Sequence, residues 1–307
     1  MKIAFCFPGQ GSHEVGMGRA FAEASPEASA VYQAACETTG LDLERLCFEG
    51  PIGELPETEV QQPALVTTSI ACLRAVEASG VRPDVVLGHS VGEYSALAAC
   101  GALSDRDAVG LVRERGLATA AAATDHPGAM TAIIGLEDAV VEELCAGIED
   151  VWPANYNCPG QVVVSSSERS VNELLERATA AGARRTIRLR VPGAFHSPLV
   201  VSATTRLRPA LERVTWREPE VPFLSTVTAR VEPIGALPGL LIEQLTAPVR
   251  FTQAVAELAR LGVTHAIEVG PGQVLAGLMR RCERSLSTYS VGDPASLAQL
   301  EEVLSAA

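Results

Sequence analysis

A serine between two glycines is the feature of this chain best suited to chemistry. Residues Gly88-His89-Ser90-Val91-Gly92 have the G-x-S-x-G spacing of a nucleophile elbow. In such an elbow the glycines allow a sharp turn and a close approach of the following helix. The turn places the hydroxyl at a helix N-terminus, where the partial positive charge favours a developing anion. The pattern therefore predicts a serine that attacks a carbonyl carbon, although the same five letters also occur in ordinary turns.

The segments on either side of Ser90 favour the catalytic interpretation. Residues 85–87 are an apolar run of the kind that forms a buried strand. Residues 93–100 carry alanine and leucine at helical spacing, which predicts a helix. Strand, tight turn and helix thus follow one another in the order that a nucleophile elbow requires.

A nucleophilic serine needs a base within hydrogen-bond reach, and histidine is the most frequent one. Among the five histidines of the chain, His196 falls where a predicted small domain returns to a large one. Clefts form at such junctions, so His196 is the candidate base, and a structural role is the alternative. The other histidines occupy less suitable positions: His89 adjoins the serine on a tight turn, and His13, His126 and His265 lie in predicted loops or among apolar residues.

The composition indicates a globular α/β protein. An apolar content of 47% with only 4% aromatic residues, over 307 residues, suits a core of alanine, valine and leucine in one large domain or two smaller ones. No run of about 18 apolar residues occurs, which argues against a membrane span. The first apolar run, residues 3–7, is too short for a signal core and predicts a first strand. A cytoplasmic location is the resulting expectation.

Charge and cysteine content exclude some function classes. The net charge of −13 disfavours a nucleic-acid partner, because phosphate binding needs clustered positive charge. The eight cysteines form no C-x-x-C pair and no metal spacing, so we expect buried, reduced thiols and no metal site. Arginines cluster in two segments, which are either solvated faces or a surface that steers an acidic partner: Arg184, Arg185, Arg188 and Arg190 in the first, and Arg280, Arg281 and Arg284 in the second.

The order of predicted elements indicates an α/β fold with two domains. In residues 1–125, apolar strand-like runs (3–7 and 85–87) alternate with predicted helices (64–76 and 93–100), which is typical of a parallel sheet covered by helices. Residues 126–196 predict the order β-α-β-β-α-β of a ferredoxin-like unit, with a capping box at Ser170 and Glu173. The chain then rejoins the large domain over residues 197–307. The predicted fold is a hydrolase-like parallel-sheet domain, 1–125 and 197–307, with an inserted ferredoxin-like domain.

Seven motifs, in one order along nearly the whole chain, resemble a known enzyme family. The chain is similar to malonyl-CoA:acyl-carrier-protein transacylases and to the related acyltransferases of polyketide synthases, including the free-standing ones. The motifs are Phe7-Pro8-Gly9-Gln10-Gly11-Ser12, Gln62-Pro63-Ala64-Leu65, Gly88-His89-Ser90-Val91-Gly92-Glu93, Arg113-Glu114-Arg115-Gly116, Asn155-Tyr156-Asn157 with Pro159-Gly160-Gln161-Val162-Val163, Phe195-His196-Ser197, and Glu268-Val269-Gly270-Pro271-Gly272.

The resemblance implies a ping-pong transfer without a cofactor. Ser90 would attack the acyl-CoA thioester with His196 as general base, and the acyl-serine would pass its acyl group to the phosphopantetheine thiol of an acyl carrier protein. The main-chain N–H groups of Gln10 and Val91 would form the oxyanion hole. The main-chain carbonyl of Ala247, where relatives commonly have asparagine, would orient the base.

The resemblance also assigns the acyl-binding residues. Arg115 would pair with the free carboxylate of a malonyl-type group, because a planar guanidinium grips both oxygens at once. Without the resemblance, a helix-surface salt bridge of Arg115 would be the simpler interpretation. Phe195 would fill the space that an α-branched acyl unit needs, and Gln62 and His89 would line the site.

Two departures and three alternatives accompany this prediction, and the first alternative is the same transfer with a different acyl unit. His13 and Ala247 replace residues common in close relatives, which favours a branch serving a polyketide line over a housekeeping fatty-acid enzyme. An editing hydrolase would use the same Ser-His pair, but it has no use for a buried cation such as Arg115. A non-catalytic docking protein has no need of an intact Ser90 and His196.

Overall fold

The computed structural model describes residues 1–51, 53, 55 and 57–305 and contains two sheets. The larger sheet has six strands in the order β10-β9-β1-β2-β7-β8, and all its pairings are parallel except that of β7 with β8. The smaller sheet has four antiparallel strands. The strands are β1 (Ile3–Phe7), β2 (Val85–Gly88), β3 (Gly128–Ile134), β4 (Val151–Cys158), β5 (Gln161–Ser167), β6 (Arg185–Arg188), β7 (Phe223–Ser225), β8 (Arg230–Val231), β9 (His265–Val269) and β10 (Ser287–Val291).

Helices cover both sheets, and none in the described part of the chain has the length and apolarity to cross a bilayer. The elbow helix α5 is short and almost wholly buried. The helices are α1 (Arg19–Ala24), α2 (Pro26–Thr39), α3 (Leu43–Phe48), α4 (Thr58–Ala78), α5 (Gly92–Ala99), α6 (Asp105–Asp125), α7 (Asp138–Ala146), α8 (Val171–Ala180), α9 (Ser202–Arg213), α10 (Leu237–Glu243), α11 (Phe251–Arg260), α12 (Val274–Cys282) and α13 (Pro294–Ser305).

Strands β1 and β2 lie at the centre of the large sheet and position the site. Every residue of both strands is buried, as continuous apolar runs predict for a parallel sheet covered on both faces. Their register places Phe7 beside Gly88, so the loops that follow the two strands leave the sheet side by side. In open α/β sheets, ligands bind at this carboxyl edge. The fold therefore brings the Pro8-Gly9-Gln10 loop next to the elbow.

The smaller sheet confirms the predicted ferredoxin-like unit. Its elements follow the order β3-α7-β4-β5-α8-β6, and its strands lie side by side as β4-β5-β3-β6. All of these strands and helices fall inside the segment 126–196 that the sequence predicts for the small domain. The two limits of that segment stay a prediction.

The structure corrects the details of two helices. Ser170 makes no capping-box bond at the start of α8, because its hydroxyl donates to the carbonyl of Glu149 at 2.7 Å instead. Helix α4 begins six residues before the predicted start at residue 64 and includes Pro63. Most of α4 is buried, so packing on all sides, rather than an amphipathic period, determines its length.

Candidate active site

Ser90 lies on a strained turn that only the two flanking glycines permit. Its φ of 53° is in the left-handed region, which non-glycine residues rarely occupy outside functional sites. A Cβ on Gly88 would lie 2.0 Å from the Gly92 carbonyl carbon, and a Cβ on Gly92 would lie 2.2 Å from the Phe7 carbonyl oxygen. The G-x-S-x-G spacing therefore follows from backbone contacts within the elbow and between the elbow and β1.

His196 meets Ser90 although 106 positions separate them in the chain. The Ser90 Oγ lies 2.7 Å from His196 Nε2. On the other side of the ring, Nδ1 lies 2.9 Å from the Gln244 carbonyl oxygen and 3.1 Å from that of Ala247. Because carbonyl oxygens only accept, the Nδ1 atom carries the proton and Nε2 presents its lone pair to the hydroxyl. This is the tautomer that a general base requires.

The surroundings of His196 keep its imidazole neutral. Burial, followed by the positive charge of Arg115 and by His89, lowers the pKa of His196 to about 3. The side chain is only 4% exposed. A neutral imidazole is available to accept the serine proton at any pH well above this value.

The lowered pKa predicts how acylation depends on pH. An ordinary imidazole with a pKa of about 6.5 would lose about tenfold in its basic form at one pH unit below that value. Here the neutral form persists as the pH falls through 6.5, since protonation of His196 requires a pH near 3. We expect the second-order rate constant for acylation of Ser90 at pH 5.5 to stay within about twofold of its value at pH 7.5. Stopped-flow acylation at constant ionic strength measures this, and an acid limb centred near 6.5 would contradict it.

Two main-chain N–H groups next to Ser90 have the features of an oxyanion hole. Val91 precedes the first residue of α5, and Gln10 follows β1 and lines the cavity over the serine. Among the residues that the structure describes, neither N–H donates a hydrogen bond to any acceptor. Unpaired main-chain donors in a buried site are rare, and here they remain available to a developing negative charge.

Arg115 is a buried cation whose partners are all neutral. It is 3% exposed and donates from Nη1 to Gln62 Oε1 at 2.8 Å and from Nη2 to Gln244 Oε1 at 3.1 Å. The Nη2 atom also lies 3.3 Å from Ser90 Oγ, and Nε has no partner in the described part of the chain. Burial lowers the pKa of Arg115, since desolvation disfavours the charged form. A buried guanidinium that lines the cavity over Ser90 and has only neutral partners is suited to a ligand carboxylate.

A cavity of about 150 Å³ lies over the Ser-His pair, between the two sheets. Of the predicted binding residues, His89, Arg115 and Phe195 line it. Gln62 does not; it is fully buried behind Arg115 and holds the guanidinium. The other lining residues are Gly9, Gln10, Ser12, Ser90, Met130, Asn155, Asn157, Gln161, Val163, Leu189, Val191, His196, Val274, Leu275 and Leu278.

Sequence reasoning assigned no site role to three polar residues that belong to the hydrogen-bond network around Arg115, His196 and His89. Gln244 supplies one carbonyl for His196 and an amide for Arg115. Glu93, in the first turn of α5, accepts a hydrogen bond from that amide, and Asn157 Oδ1 lies 2.9 Å from His89 Nε2. Glu93 and Asn157 belong to motifs that the family resemblance used, but no sequence signal marked Gln244.

Fold and site together define the class of α/β proteins that use a Ser-His pair at a nucleophile elbow for acyl chemistry. The chain belongs to the acyl transferase family, since the family model described as "Acyl transferase domain" matches residues 4–300. It is 44% identical over 301 residues to the malonyl CoA-acyl carrier protein transacylase of Bacillus subtilis (strain 168), covering 96% of this chain and 95% of the relative.

Solved structures agree with this assignment. The acyl-carrier-protein S-malonyltransferase of Burkholderia pseudomallei 1710b superposes with a TM-score of 0.94 at 40% identity, covering 98% of this chain and all of the other. A type II polyketide synthase (PKS) acyl-carrier protein in complex with its malonyl-transacylase provides a second neighbour, with a TM-score of 0.95 at 36% identity and coverage of 99% and 100%.

Proposed function

We propose that this protein moves a malonyl-type acyl group from coenzyme A to the phosphopantetheine thiol of an acyl carrier protein. The observation that carries the proposal is the buried guanidinium of Arg115, 3.3 Å from the Ser90 hydroxyl and without a carboxylate partner in the described chain. A malonyl thioester brings the missing carboxylate to the place where its carbonyl carbon faces the nucleophile. The named relatives are malonyl transacylases, which agrees with this chemistry.

In the first half-reaction the Ser90 oxygen bonds to the thioester carbon while its proton passes to His196 Nε2. The carbonyl oxygen becomes negative and accepts hydrogen bonds from the N–H groups of Gln10 and Val91, each contributing about 3 kcal/mol. When the tetrahedral intermediate collapses, the C–S bond breaks and the imidazolium returns its proton to the departing CoA thiolate. The second half-reaction reverses these steps with the carrier thiol as nucleophile.

No step of this sequence requires a metal or an organic cofactor, and the proposal includes none. The proposed donor, a coenzyme A thioester, is made and used inside cells, so the proposal places the protein in the cytoplasm. All eight cysteines are unpaired, which suits a reducing compartment.

Intact-mass spectrometry of a carrier protein tests the proposal. A holo-carrier incubated with the enzyme and an equimolar panel of malonyl-, methylmalonyl-, acetyl- and butyryl-CoA should gain chiefly the malonyl mass, and the apo-carrier should gain nothing. Holo-carriers from a fatty-acid and a polyketide pathway, compared in parallel, identify the pathway by their KM values. Release of free acid without carrier loading would favour the editing hydrolase instead.

Phe195 is the proposed determinant of substrate size. Its ring is 7% exposed and lines the cavity, and its main-chain carbonyl accepts a hydrogen bond from Ser165 Oγ at 2.5 Å. The change Phe195→Ser removes the ring and makes room for an α-methyl group. A methyl group in a pocket is worth about 1–3 kcal/mol, so the preference for malonyl-CoA over methylmalonyl-CoA should fall about tenfold or more. Competition between the two donors measures the ratio, and an unchanged ratio would remove Phe195 from this role.

The predicted arginine groups offer a surface for the acidic carrier. Arg190 is exposed and stands between two cavity-lining residues, Leu189 and Val191. Arg281 donates to the side chain of Gln161, which also lines the cavity, at 2.9 Å. Both arginines therefore lie near the cavity that the phosphopantetheine arm must enter.

Reversing the charge at Arg190 should weaken the carrier interaction selectively. We expect Arg190→Glu to raise KM for the holo-carrier about three- to tenfold, less so at high salt, because charges at an interface rim steer association. Malonyl-pantetheine, which lacks the CoA phosphates, serves as donor so that donor binding is unaffected. The matched control is Arg82→Glu, in the loop at the opposite end of β2. Equal effects of the two changes would exclude a local docking role.

A further inference from the structure

Glu93 is a buried carboxylate that the proposed reaction does not use. It is fully buried, and its Oε1 accepts hydrogen bonds from the Thr226 N–H, from Thr226 Oγ1 at 2.8 Å and from Ser225 Oγ at 3.2 Å. Its Oε2 accepts a bond from Gln244 Nε2 at 2.5 Å. Burial raises the pKa of Glu93, and these hydrogen bonds oppose that rise. Burying a carboxylate is costly, and these donors offset part of that cost. The bond to Gln244 connects Glu93 to the residues around Ser90.

The amide of Gln244 can have only one orientation in this site. Its Nε2 donates to Glu93 and to the Ser90 carbonyl oxygen, which lies 3.0 Å away. Its Oε1 accepts from Arg115, whose guanidinium can only donate. If the amide were flipped, its oxygen would face the oxygens of Glu93 and Ser90, and its NH₂ group would face the guanidinium of Arg115. The hydrogen bonds therefore determine which atom is oxygen and which is nitrogen.

We propose that Glu93 is a positioning residue for acyl-group recognition: through the fixed amide of Gln244 it holds Arg115 in place while leaving the guanidinium open to the carboxylate of the acyl group. This inference rests on the proposed malonyl transfer. A buried cation needs negative charge nearby, yet a carboxylate in direct contact would occupy the donors that the substrate requires. One amide between the two charges keeps the countercharge close, and no carboxylate of the described chain contacts the guanidinium that lines the cavity.

The isosteric change Glu93→Gln tests this arrangement. It replaces an acceptor with an amide, and with its oxygen held by Thr226 the new NH₂ group faces Gln244 Nε2. Gln244 then loses its fixed orientation and its hold on Arg115. We expect the ratio of kcat/KM for malonyl-CoA to that for acetyl-CoA to fall about tenfold, the usual effect of losing a hydrogen bond to a charged group. If that variant does not fold, Gln244→Met gives the same test, because it removes the amide and retains the main-chain carbonyl that orients His196.

A double-mutant cycle separates positioning from mere support of the fold. In an Arg115→Ala background, Glu93→Gln should leave the malonyl-to-acetyl ratio unchanged, because its effect passes through the guanidinium. The matched control is Glu268→Gln, another fully buried glutamate, whose carboxylate accepts from the Ala276 N–H of α12 rather than contacting Arg115. This control should lower kcat/KM for malonyl-CoA and for acetyl-CoA by the same factor, so that their ratio does not change.

The outcomes distinguish this inference from the proposed function. A wild-type enzyme that shows no preference for malonyl-CoA contradicts the function itself. A wild-type enzyme that prefers malonyl-CoA, together with Glu93→Gln and Gln244→Met variants that retain the full preference, overturns only the positioning role. The positioning role would also be overturned if those variants lowered kcat/KM equally for malonyl-CoA and acetyl-CoA, and if that loss added to the loss caused by Arg115→Ala.

Discussion

The change Ser90→Ala is expected to reduce the rate of acyl transfer to the carrier by a factor of about 10⁴ or more, which is the scale seen when a catalytic nucleophile is removed. The expectation follows from the 2.7 Å contact between Ser90 Oγ and His196 Nε2, with the Nδ1 proton held by main-chain carbonyls. Without the hydroxyl there is no acyl-enzyme, so incubation with malonyl-CoA alone should add no mass to the protein. The wild-type protein should gain one malonyl group under the same conditions.

His196→Ala should cause a comparable loss, and the double variant should be no worse than either single one. Residues that act as one unit are not additive in their effects on rate, because removing either member disables the same step. Thermal unfolding of each variant controls for folding, which matters because both residues are buried. A Ser90→Ala protein that still forms a malonyl adduct would place the nucleophile elsewhere.

The elbow, with Ser90 at its turn, is predictable because it lies in a few consecutive residues. Glycine is required at 88 and 92 because a side chain there would collide with the backbone of the same turn or of the neighbouring strand. The apolar patterns on either side of the turn predict the strand and the helix. The pairing of Ser90 with His196 is a different matter. No local pattern measures a contact across 106 positions, and the sequence indicates His196 only through the predicted end of the small domain.

Residues whose contacts depend on tertiary packing are not marked by a local sequence pattern. Gln244 follows the end of α10, and it contacts the elbow and Arg115 only because that helix end packs against them. The family resemblance implies that Gln62 lines the site, but its position in α4 puts it behind Arg115. The short strand β8 and the edge strand β10 also lacked the long apolar run that marks a central strand, because edge strands are only partly buried.

Arg115→Ala should convert an enzyme selective for malonyl groups into one that favours neutral acyl groups. The guanidinium can offer the acyl carboxylate charge-assisted bonds worth about 1.5–3 kcal/mol each, and without it that carboxylate would be buried unpaired. We therefore expect kcat/KM for malonyl-CoA to fall about 10²-fold or more. The acetyl group has no carboxylate and loses no partner in this variant. Its binding also no longer leaves the buried charge of Arg115 without a counterion, so acetyl-CoA is favoured relative to malonyl-CoA.

The same panel of acyl-CoA donors measures this switch by carrier mass. Arg113→Ala, on the same helix, is the matched control, since its guanidinium donates to the Glu59 carbonyl oxygen and lies outside the cavity lining. Arg115→Lys separates charge from geometry: an ammonium retains the positive charge but lacks the planar fork, so it should recover only part of the malonyl preference. Parallel losses for malonyl- and acetyl-CoA in Arg115→Ala would mean that the arginine supports the Ser-His pair rather than the acyl carboxylate, because its Nη2 also contacts Ser90 Oγ.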